Sequence, residues 1–264
     1  VELAAVCDLS LDKARAFAST FGVPTAYADY RDMLEKESLD AVFVVVGYDR
    51  NGRPQYPAIA ADCLEAGCHA WIEKPPAATV AELEALEAVA RKTGRQVAVG
   101  FKKMFAPANE KARDLMDDPS FGAVTLANFQ YPQSIPTTEE FRRYIGEKSF
   151  DWEVLAFLDH LCHPVSLLVF LMGPPDAVCY ERSASGAGAA LFRFESGAVA
   201  TLSLNRGAAL NGGMERTLLL SDQGRQILVE NNIRVSYLQG PAGLEYGRSP
   251  DFYEGAPGQA SAFW

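Results

Sequence analysis

Along the first hundred residues the hydrophobic pattern switches between two textures. The runs VELAAVC, DAVFVVVG, CHAWIE and RQVAVGF are short and nearly unbroken in apolar residues, and DAVFVVVG in particular has the β-branched density of a strand buried on both faces. Between them DLSLDKARAFASTFG, YPAIAADCLEAG and TVAELEALEAVARKTG place apolar residues at helical spacing, and each ends at a glycine. In the last of these Thr79 is the predicted N-cap and Gly94 the residue just past the final turn. Strands alternating with amphipathic helices across short connections predict a parallel sheet with helices on both faces.

After Phe101 the pattern changes. PANEKARDLMDD reads as a helix, and GAVTLANFQYPQ alternates like a half-exposed antiparallel strand. An irregular polar stretch follows, then DWEVLAFLDHLCHPVSLLVFLMG, a long apolar helix expected to break or kink near Pro164. From Asp176 on, short alternating runs follow one another (DAVCYERS, AGAALFRFE, AVATLSLNR, RTLLLSD, RQILVEN, IRVSYLQ), several separated by turns such as ESGA and SDQG, as in antiparallel meanders. The expected architecture is a parallel α/β domain over residues 1–104 and an α+β domain with a mostly antiparallel sheet over residues 105–264.

Composition adds limits. The formal charge of -10 argues against a nucleic-acid surface, and no apolar run is long enough to span a bilayer. Five cysteines without a metal or redox spacing suit a reducing cytoplasm.

Three places carry candidate chemistry. AAVCD ends in Asp8, and an acid at a strand end ahead of a helix accepts hydrogen bonds from a ribose in dinucleotide-binding sheets. Such a carboxylate would favour NAD over NADP. A helix-leading turn explains the same residue equally well. The Gly-rich turn that should precede such an acid is absent, because the earliest glycine is Gly22. Since the chain opens directly on a strand and stops at SAFW without a helix stop signal, a strand and a Gly-rich turn are expected upstream of Val1, with further chain beyond Trp264. The sheet would then lack its first strand, and the chain alone should expose apolar surface and be inactive.

The second place is HAWIEKPP, where Glu73 and Lys74 end an apolar strand and two prolines stop it. In open parallel sheets ligands gather at the carboxyl ends of strands, and Pro75 keeps Lys74 extended. A lysine held there, partly desolvated, is suited to hydrogen-bond or protonate a substrate oxygen. Taken as an isolated tripeptide it is better read as a surface Glu-Lys pair punctuated by prolines. The third place is LDHLCHPVSLLVFLMG, where Asp159 and His163 stand at i and i+4 on one helix face. Imidazole suits proton transfer near neutrality. A zinc reading of Asp159, His160, Cys162 and His163 lacks a distant further ligand, so no metal is expected. A satisfied polar cluster in the core is the remaining alternative.

The stretch LEAGCHAWIEKPPAATVAELEALEAVARKTGRQVAVGFKKMF resembles the cofactor domain of the glucose-fructose oxidoreductase, inositol dehydrogenase and rhizopine-catabolism (Gfo/Idh/MocA) family. LFRFESGAVATLSLNR and RTLLLSDQGRQILVE are similar to the strands of that family's open-faced sheet. The resemblance implies a Rossmann-like domain followed by a substrate domain, and an NAD(P)-dependent dehydrogenase acting on a sugar, an inositol-like cyclitol or a related polyol. It makes Lys74, Asp159 and His163 the hydride-transfer triad, with His163 as acid/base. It puts Asp8, Gly47, Tyr48, Glu73 and Lys74 around the cofactor, and Lys74, Lys102, Asp159 and His163 around the substrate. It also implies a homodimer or homotetramer formed through the C-terminal sheet.

Three departures stand out. AVFVVVG runs on into YDRNGRPQYP, with Tyr56 where the family has His. Ser166 stands where an Asp is usual three residues after the helical His. Lys102-Lys103 replaces an Arg pair, and lysine lacks the bidentate fork of arginine. Tyr131, Arg142, Arg143, Tyr144 and Trp152 could line a substrate pocket, although a bland surface reading fits them equally well. The altered loop also admits a non-catalytic member that uses the nucleotide crevice as a sensor or scaffold; the joint presence of Lys74, Asp159 and His163 argues against it.

Overall fold

The computed structural model describes residues 1–49, 53–132, 139, 152–184, 186–204, 214–239 and 244–245, giving backbone only for 152–158 and 244–245. The chain forms two compact units that meet in sequence at Gly100 and Phe101.

In the first unit strands β1 (Ala5–Cys7), β2 (Thr25–Tyr27), β3 (Ala41–Val44), β4 (His69–Ile72) and β5 (Val97–Val99) are interleaved with helices α1 (Leu11–Phe21), α2 (Tyr30–Lys36), α3 (Tyr56–Glu65) and α4 (Val80–Thr93). All strand pairs are parallel, in two ladders, β1–β2 and β3–β4–β5. The helix ends follow from local chemistry. Thr79 Oγ1 accepts from the Glu82 amide at 3.3 Å, and Gly22 and Gly94 both adopt φ of 68° where α1 and α4 stop. The pattern of β2 and α2 went unread in the sequence. They rest on Thr-Ala-Tyr and on Asp29, whose carboxylate accepts from the Arg31 amide as an N-cap.

The core of this unit lies between β3–β4–β5 and helices α3 and α4, with Ala60, Cys63, Leu64 and Ile72 fully buried. The opposite face of the same sheet is open. Phe43 is 62% exposed there, and a hollow of about 730 Å³ is lined both by Phe43, Trp71 and Ala98 of the strands and by Leu83 and Ala90 of α4. The expectation that DAVFVVVG is buried on both faces is therefore corrected. Alternate residues Val42 and Val44 turn to the helices, while Ala41 and Phe43 turn to the open side.

The second unit opens with a 3₁₀ turn (Lys102–Phe105) and α5 (Pro107–Asp117), followed by β6 (Val124–Tyr131) and helix α6 (Trp152–Met172). Then come β7 (Ala177–Arg182), β8 (Gly188–Arg193), β9 (Val199–Leu204), β10 (Arg216–Ser221), β11 (Arg225–Glu230), β12 (Arg234–Gln239) and β13 (Leu244–Glu245). They make one sheet in the order β13-β12-β11-β10-β6-β9-β8-β7. Every pairing is antiparallel except β6 with β9, so the antiparallel expectation for β6 holds only on its β10 side. Of the break or kink expected at Pro164 the break is corrected, because α6 runs through it as one helix. Leu168 and Leu171 of α6 and Ala108 and Ala112 of α5 pack with Ala127, Phe129, Ala200, Leu202 and Leu219 on one face of the sheet. On the other face Leu191 is 52% exposed. Among the described residues no helix is long and apolar enough to cross a membrane.

Candidate functional site

In the first unit the candidate residues all follow carboxyl ends of parallel strands. Asp8 leaves β1, where its amide donates to Tyr27 O at 3.2 Å and its carboxylate accepts from the Ser10 amide at 2.8 Å. This is the helix-leading turn weighed above, and the side chain stays exposed. Gly47 follows β3. Its carbonyl accepts from Gln55 Nε2 at 3.2 Å, and the space a Cβ would enter holds no atom within 4 Å. Tyr48 then bridges to Pro54, while Asp49 holds the Arg53 amide at 2.9 Å. Tyr56 is buried in the core, its ring 6.4 Å from that of Tyr48.

Glu73 and Lys74 leave β4. The Glu73 carboxylate accepts from the Lys74 amide at 3.1 Å, both side chains are half-buried, and Pro75 is fully buried. The Lys74–Pro75 peptide is cis. Glu82 ties this turn to the loop after β3: one carboxylate oxygen accepts from the Ala78 amide at 2.9 Å and the other is paired with Arg53. Behind the turn Gly100 packs closely under Trp71: a Cβ there would lie 2.9 Å from Trp71 Cζ2, so the indole would have to shift. His69, the third histidine, accepts the Gln96 amide on Nδ1 at 3.0 Å and so joins β4 to the start of β5.

The second unit holds the rest. Asp159 and His163 lie one turn apart on α6, and Asp159 Oδ2 stands 3.7 Å from His160 Nδ1. Ser166, where the family pattern has Asp, turns its hydroxyl back to His163 O at 3.0 Å. The 3₁₀ turn packs against α6; Lys102 on it is exposed and Lys103 is buried. Lys103 pairs with Glu215, and its ammonium lies 4.9 Å from the centroid of the Tyr131 ring. Burial lowers the Lys103 pKa, and the Glu215 charge opposes that shift. Burial first, then the charges of Glu215 and Asp159, push the Tyr131 phenol well up, so it stays neutral. Sequence reasoning favoured Lys102 over Lys103. The one signal for the inward lysine is its spacing ahead of Ala106 and Asn109, which are buried with it. Arg142, Arg143 and Tyr144 lie outside the described residues, as does the side chain of Trp152.

Two family models match this chain. Residues 1–101 match the oxidoreductase-family NAD-binding Rossmann fold of Gfo/Idh/MocA proteins, and residues 109–225 match the C-terminal domain of the same family. The chain belongs to the Gfo/Idh/MocA family.

The chain is 26% identical over 177 residues to the trans-1,2-dihydrobenzene-1,2-diol dehydrogenase of Xenopus laevis, covering 67% of this chain and 51% of that protein. It is 29% identical over 181 residues to the D-xylose 1-dehydrogenase (NADP(+)) 2 of Haloferax volcanii, again 67% and 51%. It spans about half the length of the curated relatives it matches. Among solved structures, an oxidoreductase domain protein from Kribbella flavida superposes with a TM-score of 0.74 at 24% identity, covering 94% of this chain and 71% of that one. A levoglucosan dehydrogenase in complex with NADH gives 0.75 at 17% identity, covering 93% and 70%. These structures share the Gfo/Idh/MocA fold, a Rossmann domain with parallel strands and a second domain with a mostly antiparallel sheet.

Proposed function

We propose that this Gfo/Idh/MocA protein is an NAD(P)-dependent dehydrogenase that interconverts a secondary alcohol and a ketone on a sugar, cyclitol or related polyol. The observation that carries the reading is Lys74, half-buried in a proline-closed turn at the carboxyl end of β4, inside a domain that matches an NAD-binding Rossmann fold. Support for the substrate class comes from the relatives, whose names include a diol dehydrogenase and a xylose dehydrogenase.

The residues present suit a nicotinamide dinucleotide. Asp8 is an exposed carboxylate at a strand end, able to accept from ribose hydroxyls and to repel an added phosphate, which favours NAD. Gly47 leaves its backbone open to close approach, with Tyr48 and Glu73 at the neighbouring loop ends. The bound cofactor supplies the hydride acceptor or donor. In this reading Lys74 donates a hydrogen bond to the reacting oxygen and lowers the cost of negative charge there. His163 takes the carbinol proton in oxidation and returns it in reduction, oriented by Asp159 one turn away. Lys102 assists by hydrogen-bonding a further substrate hydroxyl.

The reading also includes a homodimer or homotetramer built on the open sheet face, where Leu191, Leu126 and Cys179 are exposed. It places the protein in the cytoplasm, in keeping with five cysteines whose spacing matches no disulfide, metal or redox signature.

Adding NAD or NADP to the purified full-length protein with a polyol panel and following nicotinamide absorbance tests the activity. Lys74→Ala should lower turnover about 1,000-fold while leaving cofactor affinity within about threefold. Normal rates in that variant would show that the lysine has been misassigned.

A further inference from the structure

Lys103 and Glu215 are 112 residues apart and form an ion pair whose side chains keep only 11% and 18% of their exposure. The surroundings are built around this pair. Asn109, fully buried, donates through Nδ2 to Lys103 O at 2.8 Å and to Asn232 Oδ1 at 2.9 Å. Asn232 Nδ2 donates in turn to the second Glu215 oxygen, and Asn231 Oδ1 accepts from the Glu215 backbone amide at 2.9 Å. Asn231 and Asn232 have φ of 53° and 58°, a left-handed conformation uncommon outside glycine. Two residues in that region both spend their side chains on the same glutamate.

Stability is a poor reason for such a pair, because well-packed apolar residues of similar volume usually serve a buried site as well or better. The position of Tyr131 suggests another reason. Its ring lies under the Lys103 ammonium at the end of β6, and only 8% of the residue is exposed. Among the described residues nothing hydrogen-bonds its hydroxyl. A cavity of about 20 Å³, room for one water-sized group, is lined by Tyr131, Lys103, Glu215 and, from α6, Pro164 and Leu167. Pro164 directly follows His163, and the Asp159 charge reaches the Tyr131 phenol.

We propose that Lys103 and Glu215 are positioning residues that hold Tyr131 against α6, so that its hydroxyl hydrogen-bonds a hydroxyl of the polyol bound beside Asp159 and His163. This rests on the reading of that helix as the reacting site. Among the described residues the charged groups around Tyr131 are Lys103 from the 3₁₀ turn, Glu215 just before β10, Asp159 from α6 and Arg216, which opens β10 and lines the same cavity.

Two readouts separate the pair from the enzymatic reading. The first is the near-ultraviolet circular dichroism of the Tyr131 ring, with Tyr131→Phe identifying the signal. Glu215→Gln should reduce that signal, because the ring loses the ion pair that fixes it; an unchanged signal overturns the coupling whether or not any polyol is turned over. The second compares Lys103→Met, Lys103→Arg and the double variant Lys103→Met/Glu215→Leu. The double variant should melt within about 2 °C of the parent, since no buried charge is left unpaired. Its polyol KM should still rise about 10-fold or more, with NADH affinity unchanged, and Lys103→Arg should regain part of that loss. A double variant with parental melting and parental KM makes the pair purely structural and overturns the proposal. Absence of turnover in the full-length parent protein on every polyol would instead sink the dehydrogenase reading, and the dichroism would still decide the pair.

Discussion

The two units assemble their chemistry in opposite ways. In the first, most bonds that shape the candidate turns are short-range: the Asp8 carboxylate with the Ser10 amide, the Lys74 backbone amide with the Glu73 carboxylate, and the turn behind it with Thr79 and Glu82. In the second, the polar cluster depends on partners 112 and 123 residues apart, Lys103 with Glu215 and Asn109 with Asn232. A parallel sheet gathers the loops at its carboxyl edge whatever their detailed sequence, so short motifs are enough to mark that edge. A sheet that pairs β10 with β6 and β6 with β9 brings together residues whose adjacency no local pattern records.

The comparison breaks most readily in the cores. Leu64 in the first unit and Leu168 in the second are both fully buried, so Leu64→Ala and Leu168→Ala should each cost about 2–5 kcal/mol. Hydrogen exchange should then show protection lost mainly in the unit that carries the change. Equal loss across both units from either variant would mean that they fold as a single cooperative body. A smaller effect is expected behind the Lys-Pro turn. Gly100→Ala forces a Cβ against the Trp71 ring, and the expected loss is about 1–3 kcal/mol, read as a lowered midpoint in urea. An unchanged midpoint would mean that Trp71 moves aside into the open hollow.

The smallest effect concerns thiols. Burial pushes the Cys63 pKa from its ordinary value of 9.0 up to about 12, with the neighbouring Cys68 adding to it. Below the ordinary value the thiol is protonated in both folded and unfolded chains, so Cys63 gives stability no pH dependence there. Between the two values only the unfolded thiol ionises, and stability should fall as pH climbs through that window. At about pH 8 Cys63 should therefore resist alkylation until the chain unfolds, as mass spectrometry of iodoacetamide-treated protein would show. Fast modification of Cys63 in the folded chain would contradict the packing of α3 on β4.

Much of the fold was legible in the sequence because its cues are short-range. Thr79 and Gly94 mark the ends of α4 through one side-chain bond and one left-handed residue. The apolar runs of β3, β4 and β5 and the helical spacing between them imply the parallel ladder. What was missed has physical reasons too. β2 is three residues long, too short for a periodicity to register. Pro164 does not interrupt α6, because the helix packs along the sheet core on both sides of it through Leu161, Val165 and Leu168. The open face beside Phe43 and Trp71 could not be told from a covered one, since an apolar strand reads alike in either setting.

By itself the sequence determined the alternation of elements, the carboxyl-edge location of Asp8, Gly47 and Lys74, and the one-turn spacing of Asp159 and His163, because these depend on dihedral preferences and periods within a few residues. Only the tertiary structure decided that Lys103 turns inward while Lys102 stays in water, that Glu215 and two left-handed asparagines meet it, and that β6 runs parallel to β9. Those outcomes depend on which distant segments share a desolvated interior. There an ammonium needs a carboxylate beside it, and the partner is chosen by the closing of the sheet.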